Sequence, residues 1–560
     1  MMAARWLAPV LAAVACASPA TIPTPRFDNA RATAVVDDRH DVARTPESRL
    51  FVADLYQFDG VVYRRLARSL ELPRARRALG VNALDEVPDS TWFTNRIGAR
   101  ALAPEDVRAG PLTSDSPERH RPWTVRSTKI GGTSLGLIVK DARGVKYLVK
   151  FDGKTSPEIE TATHVIVNRL LWAAGYNVPE DQIVWFLPDD LVVAPDATLK
   201  HPDGSDAGLL DRATLIRALD AAYHEPDGRI RALVSRWIDG KVIGGPPAEG
   251  VRDDDPNDRI PHELRRDLRG AYPIFAWLDH VDLQEGNFLD SWVTDPADPK
   301  RHYVKHYLID FGKSLGAMAS LAPDARRGHT YVFDLPDIAW TFVTLGATDR
   351  DWQHRAFPAL RGIGMYDAAT FDPGDWHPDS PAYVPMLNAD PIDKFWGAKI
   401  VARFTRAQLA AAVAAGHLSD PRAAAYLVDT LVARQRATAA YWFARVNPLD
   451  GFALVATPDG DTLCFDDLAI SAGLASAATT RYELAGFDFA GVRVGAPVAR
   501  AATGARSCVP VPGLAPGWDH DAYTILRLAT VRPGFTGETF VHAARAQDSG
   551  AASVIGVWRP

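Results

Sequence analysis

Cysteine is nearly absent, with three in 560 residues. Cys16 lies in an apolar leader, so only Cys464 and Cys508 remain downstream. Neither has a second Cys or a His at ligand spacing beside it, which argues against a zinc site. Lysine is scarce and the net charge is −7. A nucleic-acid partner therefore lacks its electrostatic basis. Beyond the leader, no segment offers the roughly eighteen uninterrupted apolar residues of a membrane-crossing helix. No Gly-x-Ser-x-Gly elbow, Walker A loop or His-Glu-x-x-His pair occurs, His262-Glu263 included. Esterase, P-loop and zinc-protease chemistry are thus unsupported.

The length itself predicts two or three domains. The N-terminus, "MMAARWLAPVLAAVACASPA", has one Arg, an apolar run and then small residues. That pattern predicts a secretory signal over 1–17 and an exported protein. Two cleavage readings stand: a lipobox that leaves Cys16 lipidated and membrane-attached, or an Ala-x-Ala site cut after Ala17. In an oxidising compartment Cys464 and Cys508 would pair as a disulfide, or else remain two buried thiols.

Residues 18–45 are rich in Pro, Thr and Asp and read as a tether. Two short helices are expected within 49–79, completing an N-terminal extension over 18–119. "DEVPDSTWFTNRIG" reads as a turn-rich stretch with exposed aromatics. From 120 the pattern changes to short apolar runs broken by "GGTSLG" and "DARG", a β-hairpin signature. A helix follows, with Ser156 as N-cap, Pro157 first, Glu158 and Glu160 in the first turn and Gly175 at the end. Two more strands complete a β-rich region over 120–245. Residues 246–450 read as mostly helical. Residues 451–560 are short apolar runs between Gly, Asp and Pro turns, an all-β sandwich-like domain. The fold class is α+β.

A β-rich lobe followed by a helical lobe, with polar motifs at their junction, is the layout of a kinase-like fold. Phosphoryl transfer requires a lid over the phosphates, a Lys upon them, ligands for Mg²⁺ and an Asp near the acceptor hydroxyl. Candidates for each occur in that order. Gly131, Gly132 and Gly136 in "KIGGTSLG" would let backbone approach phosphate. Lys150 in "YLVKF" would point opposite to Val149, into a cleft, with Lys129 and Lys140 as competitors. Asp282 and Asn287, five apart in "DLQEGN", match the spacing of a catalytic loop. Asp310-Phe311-Gly312 follows an apolar strand and matches a metal-binding turn.

Together with "GYNVPED" after the long helix, these residues resemble the atypical kinase-like superfamily that includes the HipA toxin kinases and the phosphatidylinositol kinases. "KFDGKTSPEIETATHVIVNRLLWAAGYNVPE" is similar to segments of uncharacterised exported proteins of soil bacteria. The resemblance covers about residues 120–450. It implies a two-lobed fold binding ATP, or another nucleotide, with Mg²⁺ or Mn²⁺. It implies Asp282 as base, Asn287 and Asp310 as metal ligands, and Lys150 on the phosphates. The acceptor would be a hydroxyl of a protein, sugar or lipid.

The chain departs from that pattern in two places. "DHV" stands where His-Arg would precede Asp282. His164 stands where relatives carry the Glu that partners the lysine, and Glu160 lies one turn earlier on the same face. Glu160 would then serve Lys150, or merely match the helix dipole. A binding protein of the envelope without turnover, pseudokinase-like, is the alternative. The acidic loop 252–263, with Asp253, Asp254, Asp255 and Asp258, reads as a solvated turn, not a Ca²⁺ loop.

Overall fold

The computed structural model describes residues 22–49, 58–63, 76–129, 136–201, 204–318, 324–381, 383–514, 523–545 and 550–560. The leader with Cys16, most of the two helices expected within 49–79, and Gly131 and Gly132 lie outside these residues. The fold is mixed α+β and divides into two compact units. One holds 33–82 and 86–446; the other holds 1–32, 83–85 and 447–560.

The larger unit is built on a seven-stranded sheet. Its strands are β1 (Trp123–Thr128), β2 (Gly136–Lys140), β3 (Lys146–Phe151), β4 (Asp181–Phe186), β5 (Leu191–Lys200), β6 (Asp206–Leu209) and β7 (Ile230–Arg236). Their order is β4-β7-β3-β2-β1-β5-β6. Alternation sends Tyr147, Val149 and Phe151 to one face, where they share a core with α2 (Arg212–Leu219) through Leu215 and Leu219. The other face receives α1 (Ile159–Ala174), with Val165 packed on Ile183 and Leu233. This helix is buried almost all round, because its Ile166, Leu170 and Leu171 also enter a second core. There they meet α3 (Ala271–Leu278), α5 (Pro391–Ala402), α6 (Arg406–Ala415) and α7 (Pro421–Phe443).

The expected cap of α1 differs. The helix starts at Ile159, and Glu158 is its N-cap with φ of 71°. Tertiary ion pairing overrides local capping here. The Glu158 carboxylate is buried, 2.7 Å from Arg361, and accepts the Ser419 amide at 2.9 Å. The stretch "DSTWF" also differs, since Trp92 and Phe93 are buried, not exposed. Ser90 Oγ accepts both their backbone amides, which folds the rings inward, and Trp92 stacks on His306 at 3.6 Å.

Only the end of the 246–450 region is continuously helical. Between α3 and α5 lie a hairpin, β9 (Phe288–Asp295) with β10 (Asp298–Leu308), and a long series of turns. β9 also pairs with the two-residue strand β8 (Lys241–Val242). The turn-rich series contains α4 (Leu335–Val343), which exposes Trp340, Phe342 and Val343. The acidic loop is not solvated throughout. Asp255 and Asp258 are buried, and Asp258 lies 2.8 Å from His262.

The smaller unit carries two antiparallel sheets. One is β11 (Leu449–Thr457), β12 (Gly460–Asp467) and β15 (Arg506–Pro510), in that order. The other has the order β14-β13-β16-β17-β18, formed by β13 (Arg481–Asp488), β14 (Arg493–Ala501), β16 (Thr524–Arg532), β17 (Phe535–Arg545) and β18 (Ala552–Trp558). Leu463 and Phe465 of the first sheet share a core with Leu484, Leu526 and Val541 of the second. Cys464 and Cys508 face each other across β12 and β15 and are disulfide-bonded.

The described part of the expected tether, from 22 to 45, is held to both units at several points. Phe27 lies in the core beside Ile525 and Tyr523, and its amide donates to the Tyr523 hydroxyl at 2.9 Å. In the larger unit, Asp38 accepts the amide and hydroxyl of Thr91 at 2.7 and 2.8 Å.

Candidate functional site

Lys150 is on β3, on the face opposite to Tyr147, Val149 and Phe151. Its side chain is only 3 % exposed, and its Nζ donates to Asp310 Oδ1 at 2.6 Å. Directly across the ladder stands Gly136. A Cβ there would lie 2.7 Å from the Val149 carbonyl oxygen, so only glycine allows β2 this close to β3 beside the lysine. Lys129 also stands near, its pKa lowered by burial and by the Lys150 charge.

Asp310 follows β10 with φ of 60°, a strained left-handed conformation for a residue with a side chain. Its carboxylate is 41 % exposed, so the pair opens to solvent on the Asp310 side. Burial alone would raise its pKa. Lys150, His164 and Lys129 overcome that and hold the carboxyl well below the usual range. For Lys150, burial lowers the pKa, while Asp310 and Glu160 outweigh it and raise the ammonium.

Glu160, in the first turn of α1, is the second acid at this lysine. A Cβ on Gly312 would meet its Oε1 at 3.2 Å, so the turn 310–312 rests on Glu160. His164 is used otherwise. Its Nε2 lies 3.1 Å from Asp181, and its ring meets Phe311 edge-on at 5.2 Å.

The second turn, 279–287, is tied to 309–315 by three backbone hydrogen bonds. The amide of Ile309 donates to Asn287 O at 3.0 Å, that of Val281 to Lys313 O at 3.2 Å, and that of Leu315 to Leu278 O at 2.8 Å. Asn287 donates its side-chain amide to Asp282 O at 2.6 Å, which turns Oδ1 away from that bond. Asp282 Oδ2 sits 3.1 Å from Lys313 Nζ. Buried His280, between the two turns, donates to or accepts from Ser314 Oγ at 2.9 Å. Burial depresses its pKa to about 4, against the pull of Asp282 and Asp310.

The structure thus gathers Lys150, Glu160 and Asp310, and links Asp282 and Asn287 to them through adjoining turns. Gly136 lies beside this group. Two further residues carry no sequence signal. Lys313 pairs with Asp282, and Asp379 lies 4.0 Å from Lys313 and is paired with Arg327. Burial pushes the Asp379 carboxyl up to about 6, opposed by Arg327 and Lys313 and aided by Asp282. The Asp379 amide donates to Val281 O at 2.8 Å, which helps bring this distant loop to the site.

Among the described residues no group of three or more His, Cys, Asp or Glu side chains is arranged around a metal position. Asp310 and Asn287, the expected metal ligands, stand on turns joined by the bond from the Ile309 amide to the Asn287 carbonyl. No family model, curated protein or solved structure matches the chain.

Proposed function

We propose that the chain is an exported, kinase-like protein that binds a nucleoside triphosphate with Mg²⁺ or Mn²⁺ and transfers phosphate to a hydroxyl. The reading takes the seven-stranded sheet as the β-rich lobe and α3 with α5–α7 as the helical lobe. The observation that carries it is the Lys150–Asp310 ion pair at 2.6 Å, with Glu160 behind the lysine and the 279–287 turn bonded to the strained Asp310 turn. Lys150 meets Asp310 from 160 residues away, and the turn of Asp282 and Asn287 is bonded to the Asp310 turn, which supports the reading that these residues serve phosphoryl transfer.

On this reading Glu160 holds Lys150 extended, and Lys150 exchanges Asp310 for a phosphate oxygen when nucleotide arrives. Asp310 and Asn287 would hold the metal, which neutralises phosphate charge when bound. Asp282 would orient the acceptor hydroxyl and take its proton, with Lys313 Nζ 3.1 Å from its carboxylate. Gly136, with Gly131 and Gly132, would bring backbone amides over the phosphates.

The test is a thermal shift of purified protein with ATP and Mg²⁺ or Mn²⁺, followed by assay of phosphate transfer. A metal-dependent rise in melting temperature, lost in Asp310→Ala, supports the reading; no shift with any nucleotide overturns it. One observation favours binding without turnover, as an envelope lipoprotein. Asp282 and Asp310 each already have a lysine partner, so neither requires a substrate to satisfy it. That alternative predicts the shift without transfer.

A further inference from the structure

A cavity of about 380 Å³ lies in the larger unit, beside the turn that carries Asp282. That volume is in the range of small-molecule sites. Its floor is Asp279, the residue that ends α3, with φ of 50°. Asp279 is buried, and its Oδ1 accepts the Trp376 indole N–H at 2.9 Å. Gly328 closes over it, where a Cβ would come within 2.4 Å of Asp279 Oδ1. The wall is aromatic, with Phe371, Trp376 and half-buried Trp352.

The charges around this cavity decide what it can take. Asp279, Asp337, Asp372 and Asp375 face Arg350, Arg355 and Arg434. The cations are engaged. Arg350 is 2.5 Å from Asp337, and Arg355 is 2.6 Å from Asp367. Arg434 donates to the carbonyls of Trp277, Asp367 and Ala276 at 3.0, 2.8 and 2.6 Å. His329 adds no charge at neutral pH, since burial and the nearby arginines depress its pKa to about 4. A phosphate would thus find no uncommitted cation. On the acid side Asp337 is paired with Arg350 and Asp279 lies 3.9 Å from Arg434, while Asp372 and Asp375 are exposed to solvent. A neutral molecule with many hydroxyls fits. Each hydroxyl both donates and accepts, so it can join a carboxylate–guanidinium pair without adding charge. The C–H face of a pyranose ring can lie on an indole, burying apolar area.

We infer that this cavity is a binding site for a neutral saccharide, with Trp352 as its stacking platform and the Asp337–Arg350 pair as its hydroxyl-binding edge. The site adjoins the candidate phosphotransfer residues. Asp279 and Asp282 share one turn, and Arg327, next to Gly328, reaches Asp282 through Asp379 and Lys313. If the proposed function holds, on which this second step rests, the saccharide is the phosphate acceptor. One of its hydroxyl oxygens forms the new bond to the terminal phosphorus of a nucleoside triphosphate. The bridging P–O bond breaks, the nucleoside diphosphate leaves with its electron pair, and the hydroxyl proton passes to Asp282.

The experiment is a titration of the full chain with glucose, N-acetylglucosamine, cellobiose, chitobiose and glucose 6-phosphate, read by calorimetry and tryptophan fluorescence. Saturable binding of at least one neutral sugar is expected. Trp352→Ala and Asp337→Asn should each weaken it tenfold or more, and Trp352→Phe should restore most of it, with melting temperatures checked for every variant. No saturation by any neutral sugar overturns the site. So does binding that survives both variants, or glucose 6-phosphate binding more tightly than the neutral sugars. Sugar binding in a protein that shows no nucleotide shift would keep the saccharide site and overturn the acceptor role.

Discussion

The Lys150–Asp310 pair is asymmetric, and the asymmetry is testable. Asp310 can reach water, whereas Lys150 cannot. Removing the lysine leaves a carboxylate that water can solvate, at a cost of about 1 kcal/mol. Removing the aspartate leaves a buried ammonium with Glu160 and the more weakly acting Asp181 as its remaining acids, at about 3 kcal/mol. Urea unfolding at pH 7 should therefore rank Asp310→Ala below Lys150→Met in stability, and the reverse order would refute the burial argument. The pair's own contribution has a defined pH window. Asp310 is depressed in the folded state, so its share is present above about pH 4 and is lost as pH falls through its folded pKa. Lys150 is raised, so its share is present below about pH 10 and is lost as pH rises through its folded value.

Lys150, Asp282, Asn287 and Asp310 were legible because their order and spacing follow from the chemistry they would serve. Lys313 and Asp379 were not. A lysine after a turn carries no periodic signal, and Asp379 reaches the site only through the folding of a long irregular loop.

Among elements, the helix expected from Pro157 to Gly175 and the strands expected over 181–187 and 231–238 are found at 159–174, 181–186 and 230–236, because their apolar periodicity is clear. β5 and β6 were not expected, because Pro, Asp and Gly interrupt their apolar pattern, nor was α2, which is only eight residues long. The cap at Glu158 was missed because its partners, Arg361 and Ser419, are distant in sequence. The segment 22–30 was misread because its composition matches a linker, while Ile22 and Phe27, with the polar bonds of Thr24 and Arg26, supply the anchor. That segment gives a pH prediction. His542 bonds to Thr24 Oγ1 and to the Tyr523 hydroxyl, both at 2.8 Å. Burial and nearby Arg26 depress its pKa to about 3, below the unfolded value of about 6.5. The unfolded state binds the extra proton, so stability falls as pH drops through this window. Titration of melting temperature from pH 7 to pH 4 should show that fall in the smaller unit, by up to about 3 kcal/mol for this one group. His542→Gln should flatten it; an unchanged slope would exclude His542 as the source.

The disulfide belongs to the same scale. It joins β12 to β15 across a sequence separation of 44 residues. For a loop of that size the chain-entropy account gives about 4 kcal/mol. A Cys464→Ser, Cys508→Ser protein should lose two to four kilocalories of stability in the smaller unit, about the usual range. Calorimetry under non-reducing conditions measures this, and a loss below about 1 kcal/mol would show that the sheet core alone holds the two strands.

For the whole molecule, the mixed α+β class and a β-rich C-terminal region could be read from the alternation of apolar runs. The membership of residues 22–32 and 83–85 in the C-terminal unit could not, since it depends on contacts between the two ends of the chain. A protein beginning at residue 33 should keep the melting transition of the larger unit. It should lose stability in the smaller one, because Phe27 no longer fills the core around Ile525 and Ile555. A fully buried aromatic is worth about 3–5 kcal/mol, and loss of half-buried Phe27 should cost less than that. Two-wavelength or calorimetric melts of both proteins would decide this, and equal smaller-unit transitions would show that the segment adds nothing.

The bond between Thr24 and His542 spans 518 residues of sequence. A ribosome adding roughly 5–20 residues per second needs about half a minute to two minutes to cover that distance. During this time Phe27 has been made and its pocket has not. The first described segment of the smaller unit thus waits without its partners, with Ile22 and Phe27 exposed to whatever handles nascent chains. The larger unit can fold behind it in the interval. The smaller unit closes only when β17 is complete, so its assembly is the final event in the maturation of the chain.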